Sequence, residues 1–267
     1  MLTTLLAPFI HGVSAVLATA HDTLVSLGAA PGSALTWTLS IMLLVVVVRG
    51  ALLPLVVRQV QAGHAGARAH PQLAAIRKRY SGRTDRDSLL AQSAEMRAVR
   101  KDHGLGVASW LPLLVQMPVL SALYLVLRDV SAGLPVASMS LSMADSLAHA
   151  SIGGLSLNTT LAAALGGAGG LLPLVAVVLA LAVITYLTQR FVSLPNLPEH
   201  ALDGPLGQVQ NLMPPIATAG IVFGAFFVPA GIVLYWAASA LWTLAQQATI
   251  VRFWPTPTSR AAARFAG

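Results

Sequence analysis

The chain has 267 residues and a formal net charge of +7, and 56% of its residues are hydrophobic whereas only 9% are charged. A soluble domain normally carries about 25% charged residues, so a fully soluble surface is excluded and lipid must cover much of the chain. The lack of cysteine excludes disulfides, thiolate metal sites and a cysteine nucleophile.

Residues 1–33 come before the first long apolar run. The basic start of a secretory signal peptide is missing, since Asp22 is the first charged side chain. Apolar residues recur at helical spacing, which predicts an amphipathic helix lying on the outer face of the membrane. Its apolar stripe consists of Leu5, Phe9, Ile10, Val13 and Leu17. The alternative is a cleaved or disordered leader.

Long apolar segments alternate with polar ones in the rest of the chain. A helix needs about 20 apolar residues to cross the membrane, but a single helix over residues 209–253 would measure about 65 Å, twice the hydrocarbon thickness. The chain must therefore turn back within it, and Val-Pro-Ala-Gly at residues 228–231 is the natural turn. The predicted transmembrane spans are residues 34–57, 108–128, 171–190, 208–228 and 229–251.

Basic residues predict the orientation of these spans. Ten of the sixteen lie between Arg58 and Lys101, whereas residues 129–170 contain none. Cytoplasmic loops of membrane proteins carry the excess of Lys and Arg. We therefore expect an outer N-terminus and an outer loop 129–170. The cytoplasmic segments are then residues 58–107, 191–207 and 252–267.

A direct nucleic-acid partner is not expected from the basic stretch. Such a segment would carry interleaved aromatic residues, and Tyr80 is the only one. The stretch instead predicts a cytoplasmic helical hairpin with its turn at residues 81–83. Thr84 and Asp87 form a capping-box pattern at the start of the second arm, and Gly104 suits its end. Pro71 is expected to start or kink the first arm, whose apolar stripe is Leu73, Ile76 and Tyr80. The stripe of the second arm is thin, which predicts a mobile hairpin packed weakly on the membrane domain.

Arg49 is the most informative residue of the first span. It lies nine positions before Arg58, which is about 13 Å inside the predicted boundary. An arginine at the centre of a membrane helix costs about 2.5–3.5 kcal/mol, yet none of the five predicted spans contains a carboxylate. We therefore expect Arg49 to face water held inside the protein. The alternative is that it bonds helix carbonyls and fixes the packing, or that it marks the edge of a shorter span.

Polar residues of other spans predict the walls of such a hydrated cavity. On the fifth span, four side chains follow i, i+4, i+7, i+11 spacing and share one helix face: Tyr235, Ser239, Trp242 and Gln246. The third span contributes Thr185, Thr188 and Gln189, and the second contributes Gln116. The alternative for each is an interhelical hydrogen bond. Tryptophans near span ends are expected to be interfacial anchors: Trp37, Trp110 and Trp254.

Enzymatic and transport chemistry find no support in the sequence. All seven histidines lie outside the predicted spans and none forms a metal-ligand pattern. No nucleophile elbow or phosphate loop is present, so we expect no catalytic residue, metal or cofactor. Ion-coupled transport usually requires intramembrane carboxylates, and these are absent.

Several groups of residues together form a specific pattern. They are residues 227–236 with Ser239, Trp242 and Gln246 in the fifth span, residues 111–118 in the second, Val48-Arg49 with Pro54-Leu55 in the first, and Pro71, Tyr80 and Glu95 in the hairpin. Over residues 33–253 this pattern resembles the YidC family of bacterial membrane-protein insertases.

The resemblance implies an all-α polytopic membrane protein with five transmembrane helices around a hydrophilic groove, in the bacterial inner membrane. It implies that nascent membrane proteins enter this groove, attracted by its arginine, and release their apolar segments into the lipid bilayer, alone or beside the Sec translocon and ribosomes. The groove residues would be Arg49, Gln116, Thr185, Gln189, Tyr235, Ser239, Trp242 and Gln246. The hairpin would help to receive substrates through Arg77, Lys78, Arg79 and Glu95.

The sequence also departs from the family pattern. Ser239-Ala240 stands where a Ser-Asn pair is common, and the tail carries only three arginines for ribosome contact. Two alternatives stay open at this stage. One is a small transporter or channel whose arginine binds a soluble anion, and the other is an assembly factor dedicated to one membrane complex.

Overall fold

The computed structural model describes residues 2–105 and 111–265, and nearly all of its regular structure is helical. The helices are α1 Leu2–Ser26, α2 Ala34–Ala51, α3 Leu53–Arg79, α4 Arg86–Asp102, α5 Leu111–Ser131, α6 Leu141–His149, α7 Leu161–Ala163, α8 Leu171–Leu187, α9 Gly204–Ala225, α10 Ala230–Phe253 and α11 Arg260–Phe265. Two short strands, β1 Ser151–Ile152 and β2 Leu155–Ser156, pair antiparallel in the outer segment. The predicted all-α class is confirmed.

Two stretches of the described chain are long and apolar enough to cross a membrane. They are α2 and the helical stretch Leu171–Asn196, whose mean hydropathies are 1.9 and 2.5. Helices α5, α9 and α10 have 21, 22 and 24 residues, or about 32–36 Å at 1.5 Å per residue. The count of five spans stays a prediction.

The first predicted span is interrupted before its expected end at residue 57. Helix α2 ends at Ala51, and α3 begins at Leu53 with Pro54 in its first turn. Proline lacks an amide hydrogen and its ring clashes with the carbonyl four residues earlier, so it is accepted at a helix start but not inside a continuous helix. Leu52 still donates its backbone N–H to Val48, and the chain continues into α3.

Helices α3 and α4 lie where the two arms of a helical hairpin are predicted, and its cytoplasmic location stays a prediction. Leu73 and Ile76 are buried, and Gly104 ends the second arm with φ +70°. One detail of the prediction was wrong. The start of α4 is capped by Asp85 and not by Thr84, because the Asp85 carboxylate accepts the Ser88 N–H at 2.9 Å. Of the two roles predicted for Pro71, a start of the first arm is excluded, since α3 runs from Leu53 through Pro71, and a kink stays a prediction.

The apolar core lies at the end of the molecule that holds residues 129–170, where α1 packs on α2 and α5. Trp37 is fully buried there, and its indole N–H donates to the Ser146 hydroxyl at 3.1 Å. Its prediction as an interfacial anchor was therefore wrong. Trp254 is 62% exposed, as an anchor requires, and Trp110 lies outside the described residues.

The segment 129–170 positions the start of α10. Ala230 donates its backbone N–H to the Thr159 carbonyl and Gly231 to the Leu157 carbonyl, both at 2.9 Å. The break between α9 and α10 occupies residues 226–229, so it shares Val228 and Pro229 with the predicted turn, whereas Ala230 and Gly231 belong to α10. These bonds fix the first turn of the helix that carries most of the predicted site residues.

Candidate functional site

Arg49 lies at the end of the buried face of α2. Ile41 and Val45 on that face are almost fully buried, and Arg49 follows Val45 by four residues, so the helical repeat directs it to the same side. This side packs on α10. The sequence therefore aims the arginine at α10 through the same periodicity that buries its apolar neighbours.

The Arg49 guanidinium is held by one neutral group. Its Nη2 donates a hydrogen bond of 2.5 Å to the hydroxyl of Ser239, and its side chain is half-buried. Among the described residues no carboxylate lies within 4.0 Å of it. The positive charge is therefore oriented but not neutralised by the described part of the chain.

A cavity of about 490 Å³ adjoins Ser239 between α8, α9 and α10. Its wall contains four residues predicted for the hydrated cavity: Thr185, Thr188, Gln189 and Ser239. The structure thus brings these four together, and Arg49 is bonded to one of them. The remaining lining residues are Leu181, Ser193, Leu194, Leu197, Gln210, Met213, Ile221, Trp236, Ala240 and Thr243.

Two of the three threonine hydroxyls that line this cavity are bonded to carbonyls one turn earlier in the chain. Thr188 donates to the Ile184 carbonyl at 2.6 Å, and Thr243 donates to the Ser239 carbonyl at 2.8 Å. Because each donor is used, these hydroxyl oxygens offer acceptor lone pairs to the cavity. Water or a polar segment can therefore be bonded there without breaking the helices.

Thr188–Ser193 forms a π-helical turn at the end of α8. A π-helical turn adds a residue to the helical repeat and is frequent at functional sites. It changes the direction in which Gln189 and Ser193 face, and both line the cavity. Gln210 on α9 was missed by the sequence analysis, although a glutamine within an apolar run was a signal that could have found it.

The other two predicted residues of α10 line a different cavity. Trp242 and Gln246 face a space of about 430 Å³ between α3 and α10. The Trp242 indole N–H donates to the Gln246 side-chain carbonyl at 3.0 Å. Tyr235 is buried and belongs to neither lining. The predicted single polar face is therefore divided between two cavities, and the side chain of Gln116 lies outside the described residues.

The hairpin residues divide into paired and unpaired groups. Arg79 forms a salt bridge of 2.9 Å with Glu95, which also accepts the Tyr80 hydroxyl at 2.8 Å. This hydrogen bond from the phenol to the Glu95 carboxylate raises the pKa of Tyr80. Arg77 and Lys78 are exposed and have no ion-pair partner among the described residues. Arg79 and Glu95 thus join the two arms, and of the four predicted recruitment residues Arg77 and Lys78 are the two without an ion pair in the described part of the chain.

The described residues contain no cluster of three or more metal-ligating side chains. The features of the site are one oriented arginine, a cavity with hydroxyl and amide groups, and a second cavity that is mainly apolar. Such an arrangement can bind an anionic or polar group beside a membrane-spanning surface.

Comparison with known proteins agrees with this description. Residues 30–256 match the family described as "60Kd inner membrane protein". The chain is 32% identical to the membrane protein insertase YidC of Streptomyces avermitilis over 238 residues, which are 86% of this chain and 54% of that relative. It is 29% identical to the protein of the same name from Tropheryma whipplei, covering 96% of this chain and 86% of the relative.

A third relative, the membrane protein insertase YidC of Bifidobacterium longum, is 27% identical over 91% of this chain and 74% of its own length. The chain therefore spans about half of the Streptomyces relative and most of the other two. These relatives are named as insertases, and none by an enzymatic reaction. The chain belongs to the YidC family of bacterial inner-membrane proteins.

Proposed function

We propose that the chain is a membrane-protein insertase whose receiving group is Arg49. The observation that carries the proposal is the half-buried guanidinium, which is held by the Ser239 hydroxyl and lacks a carboxylate among the described residues. An unneutralised charge beside a cavity that contains hydroxyl and amide groups favours an anionic group that arrives from another molecule. The acidic tail of a nascent membrane protein is such a group.

The magnitudes are sufficient for this role. A carboxylate costs about 2.5–3.5 kcal/mol at the centre of a membrane helix. A unit charge pair at 4 Å gains about 4 kcal/mol at an effective dielectric constant of 20. The arginine therefore offsets the whole cost of bringing one acidic residue to its depth. It leaves little excess, so that the tail is not trapped there.

The surface of α8 that faces away from the cavity offers the substrate's apolar segment a path into lipid. Leu179, Val183 and Leu187 are about half exposed on that helix, while Thr185 and Gln189 line the cavity. An apolar segment that reaches the exposed face enters the bilayer by its own partitioning. Insertion of this kind needs no nucleotide hydrolysis.

The groove proposed here consists of Arg49 and the cavity next to Ser239, and it extends along α10 to the second cavity, which Trp242 and Gln246 line. Gln116 and Tyr235 stay predicted residues of this groove. We place the N-terminus outside and the hairpin and tail in the cytoplasm, where the chain works alone or beside the Sec translocon and ribosomes. The basic residues of the hairpin support this orientation. Arg77 and Lys78 are its recruitment residues, since they are exposed and unpaired in the described part of the chain.

The test is insertion of a single-span client with an acidic translocated tail, measured by protease protection in cells depleted of the native protein. Arg49→Ala should abolish tail translocation at unchanged protein level, and Arg49→Lys should restore part of it because the charge returns. Arg58→Ala is the matched control, since Arg58 is exposed and outside the cavity lining. Full activity of Arg49→Ala would refute the proposal. Measurable anion flux without an insertion defect would favour a transporter. An insertion defect confined to one membrane complex would favour a dedicated assembly factor.

A further inference from the structure

One face of α3 changes from apolar to polar along its length. The residues that line the second cavity from this helix recur at i, i+3, i+4, i+7, i+8 and i+11: Leu53, Val56, Val57, Val60, Gln61 and His64. The first four are aliphatic and the last two are polar. Arg68 continues the same face one turn beyond His64. The face therefore has an apolar end, a polar end and a terminal cation.

The opposite wall belongs to α10 and has few polar groups. Ile250 and Ala245 line it together with Trp242 and Trp254. The Trp242 N–H can only donate, so its bond to Gln246 must use the amide oxygen of that residue. The Gln246 NH₂ group is left to donate elsewhere. No carboxylate lines the cavity among the described residues.

The cavity opens on an uncovered apolar surface. Leu53, Val57 and Trp254 all line it and are 42%, 48% and 62% exposed. In a chain of this family, exposed apolar side chains beside membrane helices face lipid. The apolar part of a lipid molecule therefore has direct access to the cavity.

Unpaired groups lie at the polar end. The His64 Nε2 atom is buried and has no hydrogen-bond partner in the described structure, which is unfavourable for a buried polar atom. Arg68 is exposed and forms no ion pair with any described residue. Helical side chains lean toward the N-terminus of their helix, so Arg68 leans over the turn of His64. This end attracts an anionic group with acceptor oxygens, which would also give a reoriented His64 ring its missing partner.

We propose that the space between α3 and α10 is a binding site for one anionic phospholipid, with an acyl chain along Leu53–Val60 and the phosphate near His64 and Arg68. Its volume of about 430 Å³ has room for one acyl chain, so the rest of the lipid lies on the exposed surface beside it. A helix about 10 Å wide could only lie across that surface and would not fill the space between α3 and α10. Although Trp242 and Gln246 are also proposed groove residues, lipid binding does not depend on insertase activity.

The two tryptophans of the cavity provide the measurement. Phosphatidylglycerol with brominated acyl chains quenches tryptophan fluorescence on contact, so it should quench the purified full chain in detergent at low lipid-to-protein ratio. Brominated phosphatidylcholine should need about fivefold more lipid, because each basic residue near an anionic surface contributes roughly that factor. Trp242→Phe and Trp254→Phe should each remove part of the quenching.

Two matched pairs of variants test the position of the lipid. Ala245→Leu fills the cavity and should abolish the saturable quenching, whereas Ala248→Leu adds the same volume to an exposed position outside the lining and should leave it unchanged. Arg68→Gln should remove the preference for phosphatidylglycerol, whereas Arg58→Gln on the other side of α3 should retain it.

Equal quenching of Ala245→Leu and the unaltered chain would overturn the proposal. If an apolar single-span peptide protects the tryptophans from quenching and the lipid quenching is not saturable, the occupant of the cavity is a protein segment and not a lipid. Because no insertion occurs in this assay, its outcome is separate from that of Arg49→Ala.

Discussion

Replacing Ser239 with alanine separates two roles that Arg49 could have. The variant removes the hydroxyl that accepts the 2.5 Å hydrogen bond from Arg49 but leaves the positive charge in place. A hydrogen bond to a charged group contributes about 1.5–3 kcal/mol when its partners are buried. Because Arg49 is only half-buried, water replaces part of the lost bond. We expect Ser239→Ala to lower the free energy of unfolding by about 1.5 kcal/mol, the low end of that range.

The two roles predict different patterns of activity. If the charge of Arg49 receives the substrate, Ser239→Ala keeps most insertion activity while Arg49→Ala loses it. If Arg49 only fixes the packing of α2 on α10, both variants break the same bond and should lose activity to the same extent. In that case the double variant of Arg49→Ala and Ser239→Ala should have the same activity as either single variant, as expected for residues that act through one interaction.

The assay combines protease protection of an acidic-tailed client with thermal unfolding of the purified protein. Thr243→Val is the control, since it removes another hydroxyl from the same cavity without touching Arg49. A Ser239→Ala variant that is as inactive as Arg49→Ala, at equal protein level, would refute the role of the charge. A Ser239→Ala variant with unchanged stability would show that the hydrogen bond itself contributes nothing.

Three further predictions concern the scaffold. Asp85→Ala should destabilise the hairpin by about 1 kcal/mol, seen as faster amide exchange in α4, whereas Asp85→Asn should retain most of the cap; equal exchange in both variants would contradict the cap. Burial, followed by the neighbouring His70, lowers the pKa of His200, so the stacking of the two rings at 3.5 Å should weaken as the pH falls below about 6.5. Amide exchange in α3 should then rise, and His200→Phe should abolish this pH dependence; a rise that persists in the variant would exclude His200 as its cause. Gly170→Ala should reduce folded protein, because Gly170 has φ +65° and an added Cβ would overlap Leu155; a normal yield by gel filtration would contradict this.

Local chemistry made part of the fold predictable. The return of the chain between α9 and α10 followed from a Pro-Gly signal and from the length of the apolar run. The hairpin followed from its polar composition, and Gly104 marked the end of α4. Each of these features depends on residues close together in sequence, so no knowledge of the packing was needed.

Features that depend on competition between neighbouring residues were harder to predict. Thr84 and Asp85 are both good caps, and only the path of the turn selected the aspartate.

The burial of Trp37 depends on Ser146, more than a hundred residues away. A tryptophan near the end of an apolar run has the same local pattern whether it faces the membrane interface or a partner deeper in the protein.

The division of the α10 face has a similar cause and bears directly on the site. Ser239 and Gln246 do share one helix face, as their spacing predicted, but they lie about 10 Å apart along the axis. At the level of Ser239 the neighbour is Arg49 at the end of α2. At the level of Gln246 it is α3, which begins after the break at Leu52. Periodicity specifies the direction of a side chain around its own helix, whereas its partner depends on where the neighbouring helix ends. Helix α2 ends at Ala51, two residues after the arginine, and α3 begins again just before Pro54. The break thereby separates the cavity beside Ser239 from the cavity between α3 and α10.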